Sequence, residues 1–427
     1  MKTRENELPP IIKRNVLLFT VSFSCLLIGF ECGLPICSKI ALEITGRKEL
    51  IGLPLSLLGL AGALIAIPLG KIADKAGRKP CAMFSIGLMF GGLVFTAWAV
   101  SISSWSMYLL GYIIIGLGLG GNFLFELSVF DMFPPNRKGE AAGFVFLGMY
   151  FGFLTGPFLG GVIADYYGFI ATFLIASLFE IVGLICLCLT HSDPLKIGIT
   201  LEEYYPNLKP VNSFKNEKKE LKPRGLIEIF RLYPIQVQFW SRVLVHGPRL
   251  FLLVLTPVIL TAWGYSMTWV GILLMIMGVG MIVMSFPIGK LSDKFGRKKM
   301  IFSGALISMV AIVFASYTID IVYLILIFFA VGFGFTAINN AASTIIADTT
   351  HPKERGKTMA LFLIASNTGP TIFPTLSGII FGSLGFVYVG WLGAVLMLLV
   401  LLLVIPLKEI SPGVYDNFGA RPVDIPR

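Results

Sequence analysis

The chain has 427 residues, 56% hydrophobic and 14% charged, with a mean hydropathy of +0.84. A soluble domain is nearer about half apolar and about a quarter charged, so the composition excludes a soluble globular protein and requires a bilayer. The formal net charge of +10 is spread between apolar runs rather than gathered on one surface with base-stacking aromatics, which excludes nucleic acid as a partner.

Met1 to Asn15 is charged, contains Pro9 and Pro10, and leads straight into a full-length apolar run. A cleavable signal is therefore not expected, and the first span stays in the mature protein. Runs of roughly 20 residues, enough to cross about 30 Å of hydrocarbon, are predicted at 15–38, 50–70, 81–103, 106–132, 141–164, 169–190, 235–262, 268–289, 299–318, 322–347, 358–381 and 386–406. They are long, continuous and rich in Leu, Ile and Gly, whereas a membrane β-barrel needs short alternating segments. The predicted fold class is an all-α integral membrane protein with twelve transmembrane helices.

The first span carries Glu31 in its outer half, with Gly29 and Gly33 beside it. Between the second and third spans lies GKIADKAGRKP, Gly70 to Pro80, and between the eighth and ninth lies GKLSDKFGRKK, Gly289 to Lys299. Gly70, Asp74, Gly77, Arg78 and Lys79 precede Gly289, Asp293, Gly296, Arg297 and Lys298 by 219 residues each. Gly52, Gly59 and Pro68 precede Gly271, Gly278 and Pro287 by the same interval. The register covers a helix as well as a charged loop, so the chain is internally duplicated.

The fourth span contains GLGLGGN, Gly116 to Asn122, followed by Glu126 in its inner half. Gly118, Asn122 and Glu126 fall at four-residue steps on one helical face, as in a cavity wall. After this span, DMFPPNRKGEAAG (Asp131 to Gly143) is echoed after the tenth by ADTTHPKERGKTMA (Ala347 to Ala360), aligning Asp131 with Asp348 and Arg137 with Arg355.

The fifth span has Gly148, Gly152, Gly156, Pro157, Gly160 and Gly161. Glycine at every fourth place makes a smooth stripe for close helix approach, and Pro157 removes a backbone donor and bends the helix. Gly369-Pro370 in the eleventh span partly repeats it. The sixth span contains Glu180 near its middle.

From His191 to Pro234 runs the longest polar interval, read as a cytoplasmic linker. The expected organisation is an N-terminal segment at 1–14, bundles of six helices at 15–190 and 235–407, the linker at 191–234 and a tail at 408–427. The two bundles are related as parallel repeats, an arrangement that places a substrate site at their interface. In the seventh span Arg242, His246 and Arg249 stand at i, i+4 and i+7 and form a cationic stripe on one face. Asn339 and Asn340 in the tenth span and Asn367 in the eleventh add neutral groups for bonding between helices and to substrate.

Lys and Arg concentrate on alternate loops, which places both termini in the cytoplasm and the chain in the cell membrane. The six cysteines lack paired zinc spacing and there are three histidines, so neither a disulfide framework nor a metal centre is expected. No GxxxxGK[ST] loop occurs, which argues against ATP as the energy source. No nucleophile, metal or triad motif supports an enzyme.

The repeated GKxxDKxGRK loops resemble the signature of the major facilitator superfamily, and the resemblance extends over nearly the whole chain. It implies the superfamily's fold of two pseudo-symmetric six-helix bundles and alternating access to a central site. It also implies gating roles for Gly70, Asp74, Gly77, Arg78, Asp131, Arg137, Asp293, Arg297, Asp348 and Arg355, which latch the bundles on the cytoplasmic face. The fifth-helix stripe is similar to a motif of proton-driven exporters, giving Gly156 and Pro157 conformational roles. GLGLGGN is also similar to sugar and organic-acid porters, but Tyr112 stands where those families carry arginine, so their substrates do not transfer.

Superfamily helices one, four, seven and ten commonly line the cavity. The resemblance therefore implies proton coupling at Glu31 and Glu126, since a carboxylate in low dielectric is tuned towards working pH. It places Arg242, His246, Arg249, Asn122, Asn339, Asn340 and Asn367 near substrate, and ranks Glu180 lower because sixth helices usually stand at the periphery. The expected function is proton-coupled export of small amphipathic or organic compounds by a monomer surrounded by lipid, without a cofactor. An importer of organic anions and a non-transporting sensor are the rival readings.

Overall fold

The computed structural model describes residues 8–134, 137–199, 225–349 and 354–407. Its helices are α1 (Pro10–Thr45), α2 (Leu53–Ala76), α3 (Arg78–Ser101), α4 (Trp105–Leu119), α5 (Asn122–Asp131), α6 (Lys138–Cys188), α7 (Pro194–Ile199), α8 (Leu226–Phe230), α9 (Tyr233–Ala262), α10 (Met267–Phe295), α11 (Arg297–Ala315), α12 (Ile321–Thr349), α13 (Arg355–Ser383) and α14 (Phe386–Val404). Among the described residues there is no strand, and ten segments are long and apolar enough to cross a membrane. The 51-residue α6 contains two predicted spans, because Gly168 at φ 82°, ψ 174° interrupts its helical geometry. With that division, with α4 and α5 together filling the run at 106–132 and with the short α7 and α8 lying outside the apolar runs, the helices are consistent with the twelve predicted spans.

The helices outrun the apolar stretches that announced them. GKIADKAGRKP is not a loop: residues 70–76 form the last turns of α2, and α3 starts at Arg78, leaving Gly77 alone outside helical geometry at φ 104°, ψ 162°. Lys, Asp and Ala sustain a helix adequately, whereas that backbone conformation is open essentially to glycine alone. Gly296 repeats it at φ 90°, ψ 155°. The six positive-φ glycines among the described residues fall into three pairs, Gly46 with Gly264, Gly77 with Gly296 and Gly168 with Gly385. Their spacings of 218, 219 and 217 residues carry the duplication into the backbone.

The chain divides into two compact units, Met1–Val211 with Thr256–Met275 and Asn212–Leu255 with Ile276–Arg427. In the first, α1 lies between the two halves of α6. Gly148, Gly152, Gly156 and Gly160 press on Thr20, Leu27, Glu31 and Cys32, so that the glycine stripe has α1 as its partner. The opposite side of α1 meets the second half of α6, where Gly183 faces Cys25, Gly29 faces Glu180 and Gly33 faces Phe173. Both seams are pinned by hydroxyls: Ser24 donates to the Gly148 carbonyl at 3.1 Å and Ser22 to the Gly183 carbonyl at 2.9 Å. Such interhelical bonds contribute about 0.6 kcal/mol each; the larger gain is the backbone approach that missing side chains permit.

The glycines of α4 also pack. Gly116 meets Leu58, Gly118 meets Met89, and Gly120 meets Gly62. Gly118 therefore lies against α3 and does not line a cavity with Asn122 and Glu126, and the helix is broken at Gly120–Gly121 before α5 begins. The four-residue pattern fails because it assumes one unbroken helix. Within the second unit, α11 and α12 approach through Gly304 and Gly334.

Candidate functional site

Three clusters of polar side chains stand out, two in the first unit and one in the second. At the first, Arg78 is buried and bridges two carboxylates, donating from Nη1 to Asp74 Oδ1 at 2.7 Å and from Nε to Asp131 Oδ2 at 3.1 Å. The N-terminal end of α3 is met by a third acid, Asp193. That carboxylate accepts the backbone N–H groups of Arg78 at 3.2 Å and Lys79 at 2.8 Å, the first free donors of α3. It also accepts the Leu195 N–H at 2.9 Å at the start of α7. A Cβ on Gly77 would come within 2.5 Å of Asp193 Oδ2, so Gly77 provides close access as well as the turn. Lys79 Nζ completes the cluster on the Thr190 carbonyl at 2.9 Å.

Arg137 pairs with Glu140 at 2.7 Å. Gly70 packs on the Phe123 ring. In the second unit, Arg297 is buried and donates from Nη1 to Ser292 Oγ at 2.8 Å. The side chains of Asp293, Asp348 and Arg355 lie outside the described residues.

The second group is acidic, its members carried by α1, α5 and α6. Glu31 is buried, and its Cβ lies directly beneath Gly156. Glu126 is half-buried on α5, as is Asn122 at the first position of that helix. Glu180, ranked below them on its place in the sixth span, is fully buried, and neither of its oxygens has a hydrogen-bond partner. The sequence clue to its setting is Gly29 on α1, whose bare backbone makes the space.

The third cluster holds Arg242, His246 and Arg249 on α9, all within the second unit. Arg242 donates from Nε to Ser366 Oγ at 2.5 Å and lies over the Phe362 ring at 3.6 Å. Arg249 is 5.2 Å from the centroid of the Phe335 ring, which His246 also meets edge-on at 5.2 Å. His246 is buried, with Gly369 against its Cβ. Cation–ring contacts of this kind contribute about 0.5–2 kcal/mol depending on desolvation, which makes Phe335, Phe362 and Ser366 part of the stripe. Asn339 is buried and Asn340 half-buried on α12. Asn367 bonds within its own helix, donating to the Leu363 carbonyl at 2.8 Å, where a bond between helices was expected.

The order and duplication of these helices have a counterpart among known proteins. A sequence profile of the Major Facilitator Superfamily matches residues 19–254 and again residues 238–423. The chain belongs to the major facilitator superfamily. It is similar to the uncharacterized MFS-type transporter YddS of Bacillus subtilis, 24% identical over 393 residues that cover 88% of this chain and 87% of the relative. It is similar also to the multi-drug resistance efflux pump PmrA homolog of Lactococcus lactis, 24% identical over 351 residues, 80% of this chain and 81% of that one. The crystal structure of the human organic anion transporter MFSD10 superposes with a TM-score of 0.65 at 18% identity, covering 93% of this chain and all of the other. As a major facilitator superfamily protein, the chain is a membrane transporter.

Proposed function

We propose that this transporter is a proton-coupled exporter of small amphipathic or organic compounds. It resides in the cell membrane with both termini in the cytoplasm, and it works as a monomer by alternating access between bundles at 15–190 and 235–407. The observation that carries the reading is the contact of Gly156 with Glu31: the motif shared with exporters rests on the acid to which proton binding is assigned. Movement of α1 along the glycine stripe then changes the surroundings of Glu31. Glu126 is the second proton site, and the efflux pump named among the relatives supports the direction.

The energetics are adequate without a cofactor. One proton entering down about 100 mV releases about 2.3 kcal/mol, and one pH unit adds about 1.4 kcal/mol. Together they sustain a several-hundred-fold solute gradient, since each 1.4 kcal/mol is tenfold.

Ethidium accumulation in inside-out vesicles tests the reading. Acidifying the lumen should drive ethidium inward in the wild type, and Glu31→Gln and Glu126→Gln should each abolish the response. Full retention by both variants would overturn the assignment of these acids. The second reading, proton-coupled import of an organic anion, draws on the Arg242–His246–Arg249 stripe and on the transporter named for organic anions among the structural relatives. It gives the opposite gradient polarity in the same vesicles, with an anionic fluorophore in place of ethidium.

A further inference from the structure

We propose that Glu180 is a further proton-binding site of this transporter, housed inside the first unit and covered by α1 at Gly29. The inference rests on the proton-coupled reading above for its part in transport, and on the geometry for the site itself.

Glu180 lies on the second half of α6, and its side chain is completely buried. Both carboxyl oxygens lack a hydrogen-bond partner. Among the described residues no lysine, arginine or histidine forms an ion pair or charge interaction with it. The ionisable groups near it are thiols and one acid: Cys25 and Cys32 on α1, Cys186 on its own helix, and Glu31, which shares Cys32 as a neighbour. Lys79 is engaged with the Thr190 carbonyl at the far end of α6. A carboxyl group in such a place is expensive as an anion and is retained inside membrane spans chiefly where it serves function.

The packing shows how its access is controlled. A Cβ on Gly29 would overlap Glu180 Oε1 and would lie 3.3 Å from the Ala176 carbonyl. The acid therefore sits under bare α1 backbone, and no other residue type fits above it as it stands. Gly33 and Gly183 continue the same seam, so few side chains interlock along it and a shift of α1 has the Ser22–Gly183 hydrogen bond to break. When α1 covers the site, the O–H bond is kept from water. When α1 moves off, the proton leaves to solvent and the carboxylate is hydrated until a proton returns. Glu31 faces the other seam of α1, beneath Gly156, so one displacement of this helix changes the setting of both acids.

Infrared spectra of purified wild-type protein and Glu180→Gln, titrated with pH in lipid nanodiscs, test the site directly. A carboxylic acid C=O band that titrates in the wild type and is missing from the near-isosteric variant is the expected result. If the variant removes no titrating band, the proposal is overturned. Proteoliposomes loaded with ethidium test the coupling. A one-unit pH gradient sustains about a tenfold accumulation ratio per coupled proton. Glu180→Gln should lose about that factor while ethidium counterflow, which needs no gradient, stays within about twofold of wild type. Gradient-driven accumulation at the wild-type level would identify Glu180 as a permanently neutral packing group and end its proposed part in coupling. If wild-type protein itself ignores the pH gradient, the proton-coupled reading fails, and the infrared titration still decides the site.

Discussion

Replacing Arg78 with alanine should separate two contacts that distance alone would rank wrongly. The bond to Asp74 is the shorter, at 2.7 Å against 3.1 Å for Asp131, but the Asp74 side chain is 67% exposed and Asp131 only 26%. Exposed ion pairs contribute about 0.5 kcal/mol, whereas a hydrogen bond to a charged group away from water is worth about 1.5 kcal/mol or more. The loss for Arg78→Ala is therefore about 2 kcal/mol, three quarters of it from Asp131. Double-mutant cycles read by denaturant titration in detergent micelles should give a coupling energy of about 1.5 kcal/mol for Arg78 with Asp131 (Asp131→Asn) and about 0.5 kcal/mol for Arg78 with Asp74 (Asp74→Asn). Equal couplings, or the reverse order, would refute the argument that burial outweighs separation here.

Gly77→Ala forces a side chain into φ 104°, ψ 162° and towards Asp193. It should cost about 1–3 kcal/mol, whereas Gly139→Ala, which meets open space, should leave thermal melting unchanged or slightly raised. Gly152→Leu must displace Leu27 of α1 and should destabilise the purified protein by about 1–3 kcal/mol, measured in the same micelles. Asp165 accepts the N–H groups of Met267 at 2.9 Å and Thr268 at 2.7 Å. Asp165→Ala should remove about 1 kcal/mol of capping energy and accelerate amide exchange of a peptide spanning these two residues by about fivefold.

The duplication was legible because it rests on residues with backbone consequences. Gly77 and Gly296 had to recur wherever two helices meet at the same angle, and they do so at an interval of 219. The glycine stripe at 148–160 announced close packing, yet nothing local to it named α1 as the partner. Pairing between helices depends on which faces the whole bundle brings together. Four-residue steps through Gly118, Asn122 and Glu126 misled because Gly120 and Gly121 interrupt the helix on which the count relies. Asp193 was missed although Asp before Pro is a helix-start signal, since its second role, at the start of α3, requires a contact from far along the chain. The setting of Glu180 was hidden for a related reason. The resemblance ranks the sixth span as peripheral, and the bare backbone at Gly29 that faces this acid lies far away in the sequence.

The placement of α1 between both halves of α6 has a consequence for biosynthesis. The first helix leaves the ribosome early, but the surfaces that flank it, at 148–160 and 173–183, are made more than a hundred residues later. At about 5–20 residues per second, the nascent chain spends many seconds with Ser22, Ser24 and Glu31 lacking their eventual neighbours. Nascent chains halted before residue 148 should therefore hold α1 against the insertion machinery or a chaperone, and should release it only once the hairpin of α6 has followed it into the bilayer.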